Sequence, residues 1–182
     1  AWVKKEVSPI IDEHYENATF PKHILPGLGE IGAFGPYIPE EYGGPGLDQI
    51  SYGLIMQELE RCDSGLRSTA SVQSSLVMYP IWKYGNEEQR MKYLPKLATG
   101  EFIGCFGLTE PDHGSNPGGM TTNFKPAGDG KHVILNGAKT KTQLWCEYLN
   151  SGVSIYTRTK KQCSMSIHSY QKKLGQFELI NL

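Results

Sequence analysis

The sequence predicts an α+β protein, with an N-terminal all-α domain followed by an antiparallel β domain of barrel or sandwich type. Two observations carry this. Apolar residues recur at helical spacing up to about Gly100, whereas from Phe102 they come in short runs and alternations. The helices also precede the strands instead of interleaving with them, which points to segregated layers and not to a βαβ sheet. The boundaries implied are 1–101 for the helical domain and 102–182 for the β domain.

The helical elements follow in order. "WVKKEVSPIIDEHYE" places Val3, Val7, Ile10 and Ile11 at helical spacing, and Pro9 kinks or restarts the helix because it has no N–H to donate. "PKHILPGLGEIGAFG" reads as a short helix, and "PYIPEEYGGPGLD" as a loop dense in Pro and Gly. Asp48 caps the next helix, "QISYGLIMQELERC", where Ile50, Leu54, Ile55 and Leu59 share an apolar face. After a break at Asp63-Ser64-Gly65 comes "LRSTASVQSSLVMYPIWKYG", a helix rich in small hydroxylated residues with Pro80 near its end. Asn86 and Gln89 form a variant capping box for "EEQRMKYLPKLATG", and Gly100 ends that helix. Glu87 and Glu88 sit in its first turn, where acids favour the positive end of the dipole.

The strands begin with the apolar "FIGCFGL". "KHVILNGAKT" is a strand with an Asn-Gly turn, "GVSIYTRT" and "CSMSIHSY" alternate, and "QFELINL" closes the chain.

Composition excludes several classes of function. The 182 residues carry 18 Lys+Arg against 19 Asp+Glu, a net charge of −1, which makes no electrostatic case for nucleic acid or an anionic membrane. No apolar run approaches the length of a membrane span. Cys62, Cys105, Cys146 and Cys163 form no CxxC pair and read as buried reduced thiols. The five histidines are scattered, so a metal site is not expected. Neither GxGxxG nor a Walker loop is present, so a nucleotide would have to bind by another route.

"GCFGLTEPDHGSNPG", Gly104–Gly118, sets a threonine at the end of an apolar strand and a Gly/Ser loop beyond it. By composition alone this is a strand end plus turn. Together with "IPEEYGGPGL", "QELERCDSGLRS", "YGNEEQRMKYLPKLATGE" and "ILNGAKT", it resembles the acyl-CoA dehydrogenase family, with glutaryl-CoA dehydrogenases the nearest branch. The resemblance runs from about Ala1 to Thr140. It implies a helical domain, a β domain and a C-terminal helical bundle, with FAD as cofactor and an acyl-CoA, glutaryl-CoA in this branch, oxidised at its Cα–Cβ bond.

On this resemblance Phe106, Gly107, Leu108, Thr109, Gly114 and Ser115 face the flavin, and Ser115 also meets the acyl-CoA. Glu60, Arg67, Ser68, Ser71 and Val72 line the acyl pocket, with Arg67 matched to the far carboxylate of a dicarboxylic acyl chain. Read without the family, Arg67 is a solvated helix residue paired with Asp63 four positions earlier. Asp112-His113 reads as a turn and receives no role. Asn116 stands where the family usually has Asp. The resemblance further implies an electron-transfer flavoprotein as acceptor, a homotetramer, and a location in the mitochondrial matrix of a eukaryote or the cytoplasm of a bacterium.

The match fails in two places. Where the family continues "NGxKxWITN", this chain has Lys141, Thr142 and Gln143, with Trp145 displaced. No residues correspond to the C-terminal bundle, so the base that removes the α-proton is expected outside this chain. An oxidase of the same family, or an inactive acyl-CoA-binding module, fits the same motifs.

Overall fold

The computed structural model describes residues 1–126, 133–138, 152–156 and 178–181. The chain divides into two compact units, Ala1–Ile103 and Gly104–Leu182.

The first unit opens with a π-helical turn, Val3–Val7, and restarts after Pro9 as α1, Ile11–Glu16. Next come α2, Leu25–Glu30, and a loop rich in Gly and Pro. In that loop Gly35 has φ +62°, and a Cβ there would lie 2.5 Å from the Met78 methyl, so conformation and space both demand glycine. The helix α3, Gln49–Glu60, starts where the Asp48 carboxylate accepts from Ser51 N at 2.7 Å. Its inner side differs from the expected one. Met56 and Leu59 are buried, while Ile50 and Leu54 remain 73% and 58% exposed. Leu54 and Ile55 instead line an open groove with Trp2 and Ile31.

The helix α4, Ser64–Ser71, passes without a break through a π turn, Val72–Met78, into α5, Tyr79–Tyr84. Pro80 stands two residues beyond that turn, where its missing N–H and its ring both oppose regular α geometry. The helix α6, Glu87–Ala98, carries the expected capping box of Asn86 and Gln89, and the chain leaves it through Gly100 at φ +76°. Leu28, Phe34, Ile38, Leu59, Leu66, Met78, Ile81, Leu94 and Leu97 make the core, each side chain contributing about 1.5–3 kcal/mol by burial. Gln73 is buried among them. Its amide donates to Leu97 O at 2.9 Å and Phe102 O at 2.8 Å, which satisfies a carbonyl in the last turn of α6.

In the second unit β1, Ile103–Phe106, is followed by β2, Asn123–Pro126, and β3, Val133–Asn136. The last two pair antiparallel, with Asn123 opposite Asn136. The strands β4, Gly152–Tyr156, and β5, Glu178–Asn181, join β1 in a sheet ordered β1-β4-β5. Here the antiparallel expectation fails, because β4 and β5 run parallel. The stretch 157–177 exceeds the roughly dozen residues that a parallel crossover needs, and strand alternation alone carries no information on direction.

The thiols also differ from expectation. Cys62 and Cys105 are only half-buried, and Cys62 Sγ lies 3.6 Å from Ser8 Oγ. Cys146, Cys163, the segment "CSMSIHSY" and the altered Lys141-Thr142-Gln143 run with Trp145 lie outside the described residues. Among the described residues no helix is long and apolar enough to cross a membrane, and no group of His, Cys, Asp and Glu is placed to hold a metal.

Candidate functional site

Two groups of the predicted residues stand on different supports. The first lies on the hairpin of α3 and α4. Asp63 ends the turn between these helices by capping α4, accepting from Leu66 N at 2.7 Å. The helices run antiparallel, so the end of α3 faces the start of α4. Glu60 Oε2 thereby meets Arg67 Nε at 2.5 Å. The expected pairing of Arg67 with Asp63 does not occur, because the Asp63 carboxylate is engaged as a cap and only its carbonyl reaches Arg67, accepting from the backbone N–H. Arg67 is 37% exposed at its side chain, and Glu60 takes up its Nε–H alone. The two Nη groups have no partner among the described residues, which leaves the end of the guanidinium fork open.

Further along the same helix, Ser68, Ser71 and Val72 are half-buried. Arg67 and Ser71 are four residues apart and so share a face. Ser71 joins a group that sequence reading missed. The Tyr52 hydroxyl of α3 lies 3.2 Å from Ser71 Oγ and 2.7 Å from Ser75 Oγ. Tyr37 donates to Ser74 O at 2.9 Å, the carbonyl that also accepts from Tyr79 N across the π turn. Ser74 Oγ accepts from Gly35 N at 2.9 Å. The π turn is therefore tied from the loop at 33–37 and from α3, while Tyr37 meets Tyr52 and Tyr79 edge-on. Burial pushes the Tyr37 phenol up to about 12, so it stays a protonated donor at neutral pH. The run of serines in "STASVQSS" was the available signal, but without the partner tyrosines it carried no geometry.

The second group stands on the loop after β1. Phe106, Gly107 and Thr109 are half-buried, Leu108 is 37% exposed, and Gly114 and Ser115 are exposed. Thr109 and Gly114 come together, since a Cβ on Gly114 would lie 3.9 Å from Thr109 Cγ2. Asp112 and His113 form a turn, closed by reciprocal backbone bonds between Glu110 and His113.

Glu110, which sequence reading passed over, anchors this loop. It is buried, and its carboxylate accepts from Thr121 N at 2.8 Å, Thr121 Oγ1 at 3.1 Å, Thr122 N at 3.0 Å and the Thr122 hydroxyl. Thr122 in turn packs on Gly137, where φ is +144° and a Cβ would collide with the threonine side chain. The carboxylate is thus engaged by the far end of its own loop. The adjacent threonines at 121 and 122 were the only sequence signal for this anchor.

Comparison with known proteins agrees with the helical architecture of the first unit. Residues 1–101 match the family described as acyl-CoA dehydrogenase, N-terminal domain. An acyl-CoA dehydrogenase of Bacillus subtilis is 40% identical over 139 residues, and a glutaryl-CoA dehydrogenase of Desulfococcus multivorans 39% over 142. Each match covers 76% of this chain and 36% of the relative, so the chain spans about a third of their length. A crystal structure of glutaryl-CoA dehydrogenase from Mycobacterium smegmatis in complex with FADH2 superposes with a TM-score of 0.71 at 47% identity, over 76% of this chain and 35% of that one. With more than half of its length matched to the family's N-terminal domain, this chain belongs to the acyl-CoA dehydrogenase family.

Proposed function

We propose that this chain supplies the acyl-pocket and flavin-facing parts of a FAD-dependent acyl-CoA dehydrogenase of the glutaryl-CoA type. The observation that carries the substrate class is Arg67, whose Nε–H is held by Glu60 while both Nη groups stay open. A guanidinium fixed along one edge and open at its end suits bidentate capture of a carboxylate. A dicarboxylic acyl chain presents that group. Ser68, Ser71 and Val72 continue the same helix as the wall beside such a chain.

The loop residues fit a flavin. With the Glu110 carboxylate engaged by Thr121 and Thr122, the side chains of Leu108, Thr109 and Ser115 offer an apolar and neutral hydrogen-bonding surface. An uncharged ring system suits such a surface, and a hydroxyl donor at its pyrimidine edge stabilises the electron-rich reduced form. Phe106, Gly107 and Gly114 complete this set, and the second unit is read as the flavin-facing β domain. When bound, FAD supplies the hydride acceptor for oxidation of the Cα–Cβ bond. In this scheme Arg67 binds the far carboxylate, Glu60 orients the guanidinium, and Thr109 and Ser115 hold the cofactor edge. The α-proton is taken by a base that none of these residues provides. Electron-transfer flavoprotein is the proposed acceptor, and a homotetramer the proposed assembly.

The test uses the purified chain with added FAD, freed of unbound cofactor and read by its visible spectrum, followed by titration with acyl-CoA. Arg67→Ala should weaken glutaryl-CoA binding about 10- to 100-fold, the range of a hydrogen bond to a charged group, and butyryl-CoA binding less than about 3-fold. Equal losses for both ligands would remove the carboxylate role. A folded chain without a flavin band would favour the acyl-CoA-binding module instead.

A further inference from the structure

Glu110 closes the loop after β1 twice. A small ring comes from its backbone: its N–H donates to His113 O at 3.3 Å, and its carbonyl accepts from His113 N at 3.2 Å. That turn sets Gly114 beside Thr109, where a Cβ on the glycine would lie 3.9 Å from Thr109 Cγ2. A large ring comes from the side chain. Oε2 accepts from Thr121 N at 2.8 Å and from the Thr121 hydroxyl at 3.1 Å. Oε1 accepts from Thr122 N at 3.0 Å and from the Thr122 hydroxyl. Each carboxylate oxygen thus holds a different residue, and the stretch that carries Ser115 is bounded at both ends.

The far end of the large ring is itself fixed. Asn123 pairs with Asn136 at the end of the β2–β3 register, and one step beyond it Thr122 stands opposite Gly137. The Thr122 side chain fills the space that a Cβ on Gly137 would need. The loop is therefore fastened to the mouth of this hairpin by a side chain that follows Thr109 directly. Bonds to an ionised acceptor are roughly twice as strong as neutral ones. Closing such a loop before a ligand arrives also removes its ordering cost from binding.

We propose that Glu110 is a positioning residue for the cofactor: its carboxylate closes the loop in advance, so that Thr109 and Ser115 meet a flavin without first being ordered. This rests on the reading of Thr109 and Ser115 as flavin-facing residues. Glu110 itself acts through the loop and need not touch the cofactor.

The test compares Glu110→Gln and Glu110→Ala with the unaltered chain. FAD binding is read by visible absorbance, and loop closure by hydrogen exchange at the Thr121 and Thr122 amides. Glu110→Gln keeps the length and one acceptor oxygen, so part of the protection should remain and FAD binding should stay within about three-fold. Glu110→Ala should remove the protection and weaken FAD by about ten-fold or more, because only the closed fraction binds. Added FAD should then restore the protection. Exposed amides in Glu110→Ala with unchanged FAD binding make Glu110 merely structural and overturn the proposal. So does an equal FAD loss in both variants while the Glu110→Gln amides stay protected, since charge and not closure would then set affinity. If Glu110→Ala does not fold, Glu110→Gln combined with Thr122→Val opens the loop in its place, keeping a branched side chain against Gly137, and the same outcomes decide. Failure of the unaltered chain to retain FAD sinks the functional reading and takes this proposal with it. Retention by the unaltered chain and by every variant alike sinks the proposal alone.

Discussion

Arg67 stands on a helix that starts at a capped turn, packs along α3 and owes its direction to regular backbone bonds. Thr109 and Ser115 stand on a loop, Gly107–Met120, whose only helical piece is the short turn Pro117–Gly119. What replaces regular structure there is one buried carboxylate with four donors. The contrast teaches where each group is vulnerable. A side chain on a helical hairpin depends on many small terms, none of them decisive. A side chain on an anchored loop depends on one large term, and the loop's shape goes with it.

The sharpest way to break this comparison is Glu110→Ala. It leaves the N–H groups of Thr121 and of the fully buried Thr122 without that acceptor, and should cost about 2–4 kcal/mol of local stability. Hydrogen exchange at those two amides reads it, and unchanged protection would remove Glu110 as anchor. Asp63→Ala is the matching change on the helical side. It removes one cap and should cost about 1 kcal/mol in urea unfolding of the first unit, with faster exchange at Leu66. A loss as large as that of Glu110→Ala would erase the distinction.

Smaller still is Glu60→Gln. Both partners of the Arg67 pair are more than a third exposed, so water screens the pair and the change in stability should stay below about 0.5 kcal/mol. Its effect belongs in ligand binding, where the guanidinium loses its fixed edge. The gentlest probe is acid. The bond from Ser51 N lowers the Asp48 carboxyl below its ordinary 3.8. A depressed acid contributes its stability above the unfolded value and loses it as pH falls through the folded one. Protection of the Ser51 amide should therefore hold at neutral pH and fade only in strong acid. Fading near pH 6 would point to a different group.

Much of the helical unit was legible because its signals are local. The caps at Asp48 and Asn86, the restart after Pro9 and the stop at Gly100 each depend on a few consecutive residues. What failed depends on partners far along the chain. The inner face of α3 was misjudged because Ile50 and Leu54 look like core until the groove beside Trp2 and Ile31 is known. Tyr52 and Ser75, like Glu110 and Thr122, are connected only by the fold, and no periodicity announces them. Parallel pairing of β4 and β5 is equally silent, since alternation is the same in either direction. For the candidate site, family resemblance named Glu60, Arg67, Ser71 and Thr109, whereas Tyr52, Ser75 and Glu110 emerged only with the fold.

The π turn at Val72–Met78 has a consequence for how this chain tolerates change in length. A wide turn holds one residue more than an α turn, so it acts as a slack link in an otherwise tight screw. Deleting a single residue there would let the helix close to regular pitch without a break. The residues after it would keep nearly the same facing, so Tyr79 and Trp82 would stay within reach of Tyr37. The same deletion in the regular α-helix before the turn would instead swing everything after it by about 100°, the rotation of one α-helical residue. The turn is therefore the place where this helix tolerates the loss of a residue.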